Sequence, residues 1–98
     1  MSLVEIDKQN DELILNDDKV PAPVKLMWTK LKDREAYLKE QNKLNTVYIN
    51  DFQQRDNNYE TVNYINYVWQ EIMIYGLSNE IINAFKMKLQ NIYSLVKK

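Results

Sequence analysis

The chain has no cysteine and no histidine, and only one glycine, two prolines and two arginines in 98 residues. Without cysteine there is no disulfide framework, no thiolate ligand and no thiol nucleophile. Without histidine the commonest general base and metal ligand is missing. A single glycine excludes the usual glycine-rich loops that cradle phosphates. Ser2, Ser78 and Ser94 have no imidazole to activate them. Arginine makes most specific base contacts in nucleic-acid recognition, so its scarcity counts against sequence-specific reading. No apolar run approaches the roughly 18 residues that span a bilayer, and no membrane association is expected. The opening MSLVEIDKQ has neither a basic stretch nor an apolar core of the signal-peptide kind. The expected compartment is therefore the cytoplasm, or the host-cell interior for a phage-encoded chain.

What remains is a globular composition, 45% hydrophobic and 28% charged, of the kind that folds around one core. At 11.8 kDa the surface scaling gives roughly 6,000 Å² folded against about 17,000 Å² unfolded, so a core is possible without covalent staples. Twelve Asn, eleven Lys, nine Ile and seven Tyr suggest an AT-rich coding sequence. Abundance therefore argues less than position does.

Two units are expected: an acidic appendage over 1–20 and a helical domain over 21–98. In the appendage Val4, Ile6, Leu13 and Leu15 alternate with polar residues around DKQND, a pattern that suits a short β-hairpin. Ser2 and Glu5 also form a capping box that would open a short helix. VPAPV then holds the chain extended, and Pro23 suits the first turn of a helix. From 24 to 52 Val24, Met27, Trp28, Leu31 and Leu38 share one face and Tyr37, Leu44, Tyr48 and Phe52 a second, rotated face. The helix either supercoils or breaks near QNKLN, and one long helix over 24–52 is the favoured reading. QQRDNN reads as a connection in which Asp56, Asn57 or Asn58 caps a second helix over 58–75. Gly76 fits the left-handed position that ends this helix, with Leu77 as its apolar contact. Ser78 caps a third helix over 79–96, whose stripe is Ile82, Phe85, Leu89, Ile92, Tyr93 and Val96. The expected fold is all-α: a three-helix, mainly antiparallel bundle with a long first helix and a short N-terminal appendage.

The stretch NNYETVNYINYVWQEIMIYG, residues 57–76, carries more apolar surface than one helix face needs. Tyr59, Val62, Ile65, Trp69, Ile72 and Met73 form a main stripe, and Tyr64, Tyr67, Val68, Ile74 and Tyr75 lie opposite. A helix apolar nearly all round is covered on both sides. Either the second set closes the core of one chain, or it meets another chain, identical or foreign. Tyrosine suits an interface because it offers a large ring at low entropic cost with a polar tip. A base-stacking platform is disfavoured, since such platforms have basic neighbours and these tyrosines have neutral or acidic ones.

Net charge −1 conceals a gradient: residues 1–18 carry −5 and residues 19–43 carry +4. Lys25, Lys32, Lys39 and Lys43 form a ridge on the first helix that suits an acidic partner or a phosphate backbone, with the acidic segment as internal competitor. Asp33 and Glu40 partly cancel it, as on an ordinary solvated face. DKQNDELILNDD superficially resembles a calcium loop but lacks the mid-loop glycine and the closing glutamate. No enzyme, cofactor or metal site is therefore expected. The leading expectation is a protein–protein interaction module, a small helical adaptor, inhibitor or assembly protein, that binds through Tyr64, Tyr67, Val68, Ile74 and Tyr75 and forms a homo-oligomer. A nucleic-acid-associated protein using the lysine ridge is second.

Overall fold

The computed structural model describes residues 2–44 and 51–96, without the side chains of residues 3, 44 and 51–57. It is all-helical: α1 (Leu3–Leu15), α2 (Ala22–Leu44), α3 (Asp51–Ile74) and α4 (Asn79–Val96).

Among the described residues four helices replace the expected three, because the N-terminal segment is a helix and not a hairpin. Ser2 Oγ accepts from the Glu5 amide at 3.2 Å, as the capping-box reading requires. The period is also helical. Ile6, Leu13 and Ile14 share the inner face, and Ile14, which the alternating pattern put on the polar side, is fully buried. The segment read as an appendage thus contributes to the common core.

An Asx turn at Asp17 follows, its Oδ1 accepting from the Lys19 amide at 2.9 Å, and buried Val20 pins the connection. The Pro21 carbonyl accepts from the Val24 and Lys25 amides, so α2 begins there with Pro23 in its first turn. Val24, Met27, Trp28, Leu31 and Leu38 are buried, as expected. Asp51 and Phe52 belong to α3 instead of extending α2, and QQRDNN is helix instead of connection. No Gly or Pro interrupts that stretch, so nothing local forces a break. The second expected face of the first helix falls largely outside the described residues: Tyr48 is not described, nor are the side chains of Leu44 and Phe52.

Gly76 has φ 62°, the left-handed turn that separates α3 from α4. Ser78 caps α4, its Oγ accepting from the Ile81 amide and its carbonyl from Ile82. The buried stripe of α4 is Ile81, Ala84, Phe85, Lys88, Leu89 and Ile92. This corrects the sequence reading: Ile82 is only partly buried, and Tyr93 is exposed.

Paired positions on α2 and α4 climb together. The Trp28 ring meets Phe85 edge-on at 5.1 Å, Glu35 meets Lys88, and Asn42 Nδ2 donates to the Leu95 carbonyl at 3.3 Å. The principal interface is therefore a parallel α2–α4 pair, although consecutive helices run antiparallel. Both α1 and α3 pack on this pair, and among the described residues they do not touch each other. The result is a slab measuring 44 × 30 × 17 Å. With helices roughly 10–12 Å across, so thin a body covers each flanking helix from one side only.

Candidate functional site

The sequence leaves the inward face of α3 ambiguous, and the structure turns the seam between its two apolar stripes to the core. Thr61, Val68 and Ile72 are buried there. One flank carries Trp69 and Met73, which the sequence reading placed in the core and which lie at the surface, as does Tyr59. The other flank carries Tyr64, Tyr67, Ile74 and Tyr75. Val68 must be removed from the expected partner-binding set: at 0% exposure it is core and unavailable to another chain.

The remaining four form a strip along the α2–α3 seam. Tyr64 is half-buried and stacks on Tyr67, with ring centroids 5.9 Å apart and planes inclined by 18°. Tyr67 is 54% exposed and Ile74 73%. Tyr67 and Tyr75, with Leu26, Met27 and Pro23 of α2, line a shallow concavity of about 130 Å³, with Lys30 and Glu71 at its edge. From Tyr64 the strip continues into a wider groove of about 600 Å³ lined by Lys30, Asp33, Arg34 and Tyr37. There the Arg34 guanidinium lies 5.4 Å from the Tyr37 ring centroid and 3.9 Å from Glu60. At 1.5 Å rise per residue, Tyr64 to Tyr75 alone covers about 16 Å.

Burial raises the Tyr64 hydroxyl above the ordinary tyrosine value of 10.0, and the neighbouring Tyr67 adds to the effect. The sequence missed Leu26, which is 57% exposed; its position on α2, outside the buried arc of Met27 and Trp28, was the available signal.

The lysine ridge is not one open surface. Lys32 is bound by Asp11 at 2.8 Å, Lys25 is half-buried, and Lys39 and Lys43 are exposed. On the opposite flank of α3 a further depression of about 240 Å³ lies between Ile65, Asn66 and Trp69 of α3 and Lys86, Leu89 and Gln90 of α4.

A polar cluster between α1, α2 and α4 was not anticipated. Lys88 is 3% exposed, yet its Nζ lies 3.1 Å from Glu35 Oε1, 3.5 Å from Asp7 Oδ1 and 5.3 Å from the Trp28 ring centroid. Trp28 Nε1 donates to Asp11 Oδ1 at 2.8 Å. The heptad-like spacing of Glu35 from Trp28 was the only sequence sign that this charge faces inward.

Among the described residues no group of three or more acidic, histidine or cysteine side chains is placed to hold a metal ion, and no helix is long and apolar enough to cross a membrane. Compared with protein-family models, curated proteins and solved structures, the chain matches none.

Proposed function

We propose that the chain is a non-enzymatic protein-interaction module that binds through the aromatic strip of α3 and self-associates, acting in the cytoplasm or inside a host cell. The observation that carries this reading is the strip of exposed Tyr67, Ile74 and Tyr75 beside half-buried Tyr64, continued onto α2 by Leu26. With Leu26 57%, Tyr67 54%, Ile74 73% and Tyr75 36% exposed, the four together leave roughly 330–550 Å² uncovered, taking about 150–250 Å² for each whole large side chain. That lies within the roughly 300–600 Å² of the largest patch on a typical monomer, which is often functional, and is of a size to form the apolar centre of a standard interface of about 800 Å² per partner. The rim carries both signs, Lys30 and Arg34 against Glu60 and Glu71. A face with both charges is self-complementary under a two-fold rotation, as an isologous dimer requires.

The double substitution Tyr64→Ala, Tyr67→Ala tests this by sedimentation and thermal melting of one sample. Association should weaken by about 2 kcal/mol or more with helicity retained. A wild type that is monomeric at every accessible concentration, with a variant that simply unfolds, makes these rings core and ends the reading. Salt separates the second reading: aromatic association is nearly indifferent to it, whereas phosphate-driven binding through Lys25, Lys39 and Lys43 falls steeply between roughly 50 and 200 mM.

A further inference from the structure

The seat of α1, on the far side of the α2–α4 pair from the aromatic strip, has the wrong floor for a surface that is always covered. Trp28 offers its indole N–H, and Lys32 and Lys88 offer ammonium groups, to Asp11 and Asp7. Glu35 pairs with Lys88 through Oε1, while its Oε2 is buried with no hydrogen-bond partner among the described residues. Apolar side chains in place of a buried ion pair are often neutral or stabilising. Lys32 stands at the rim, partly exposed, whereas Lys88, Glu35 and the Trp28 indole are covered. A permanently sealed floor gains nothing from that ammonium, carboxylate and indole N–H, all of which hydrate readily once uncovered. The hold of α1 is correspondingly slight in apolar terms. Ile14 is its one fully buried side chain among those described, and Leu13 and Leu15 pack only at the edge.

We propose that the α2–α4 groove beneath α1 is a second recognition surface, for an acidic amphipathic helix of another protein, and that α1 is its built-in occupant. The chemistry of the ligand is written in α1 itself. Two carboxylates four residues apart meet Lys88 and the Trp28–Lys32 pair, and an aliphatic residue three positions further on fills the site of Ile14. This is recognition of a helix in a groove, with charge fixing the register. The six-residue connection 16–21 keeps α1 at an effective concentration on the order of millimolar. An outside helix therefore binds the intact chain weakly until α1 is loosened.

Fluorescence anisotropy with a labelled peptide of residues 1–16 tests the groove. A full-length chain carrying Asp7→Asn and Asp11→Asn, which loosens its own α1, should bind this probe roughly tenfold more tightly than the wild type does. Adding Lys88→Gln, or placing the same two Asn changes in the probe, should abolish the gain. An unrelated helical peptide with the same Asp–Asp–aliphatic spacing should compete. A second full-length protein, with a protease site introduced between Asn16 and Lys19 and then cut, keeps the test open if the Asn variant does not fold, since cutting leaves every contact of α1 in place. Either of two results overturns the proposal: no probe uptake by a helical variant or cut chain, or unfolding when α1 leaves. Binding confined to α1's own sequence overturns it as well, because the groove would then serve this chain alone.

Discussion

The two flanking helices sit on opposite sides of the same α2–α4 pair and are held in opposite ways. α3 presses Val68 and Ile72 into the pair and leaves aromatic surface on both of its flanks. α1 presses in Ile14 and holds itself with Asp7 and Asp11. One seat is apolar with excess outside it, and the other is polar with little excess anywhere. The difference separates two uses of a helix: burial of area, which is insensitive to salt, and pairing of charges, which salt screens.

The largest effect is expected on the apolar side. Ile72→Ala should cost about 2–5 kcal/mol of folding stability, read by denaturant unfolding, because the site is fully enclosed. A loss under about 1 kcal/mol would mean that α3 is not seated where the core cluster places it. On the polar side Asp11→Ala leaves the Trp28 indole N–H and Lys32 without their acceptor and should cost about 1–3 kcal/mol. Its effect should shrink in high salt while that of Ile72→Ala does not, and equal salt dependence would break the comparison. Gly76→Val should cost about 1 kcal/mol or more in a thermal melt. An added Cβ meets nothing within 4 Å, so the cost is the positive φ alone. The smallest effect concerns Tyr64. Its raised value means that the folded chain holds the phenolic proton more tightly than the unfolded one. This contribution is intact below pH 10.0 and is lost as pH rises through the folded value. Tyr64→Phe should therefore flatten part of the alkaline fall in stability, and identical profiles would remove the burial argument.

Legibility in the sequence followed the contrast between polar and apolar residues. The bounds of α4, Asn79 to Val96, read correctly because Ser78 caps it, while its stripe reads only in part: Phe85, Leu89 and Ile92 are buried, and Tyr93 is not. α3 reads as a helix, yet its inward face does not, since Tyr59, Trp69 and Met73 compete with Val68 for the core on hydrophobicity alone. The answer is steric: small and branched Thr61, Val68 and Ile72 let α3 approach the α2–α4 pair, and the bulky rings go to the flanks. α1 was misread because Val4, Ile6, Leu13 and Leu15 fit period two about as well as a helical period. The pairing of Lys88 with Glu35 was hidden for a different reason. Each has its partner 53 residues away, and no local window contains a long-range ion pair.

The parallel pairing of α2 with α4 also dictates the order in which the chain can become a protein. Among the described residues α2 leans mainly on α4 and only lightly on α3, the helix that follows it. A nascent chain that has emerged only through α3 therefore holds Trp28, Leu31 and Val24 without the wall formed by Phe85, Leu89 and Ile92. Loop closure over that distance must precede the reward of burial, so the core closes late, after the last helix has been made. During synthesis the first three helices expose these side chains together with the tyrosine strip, and it is then that the chain is most open to aggregation.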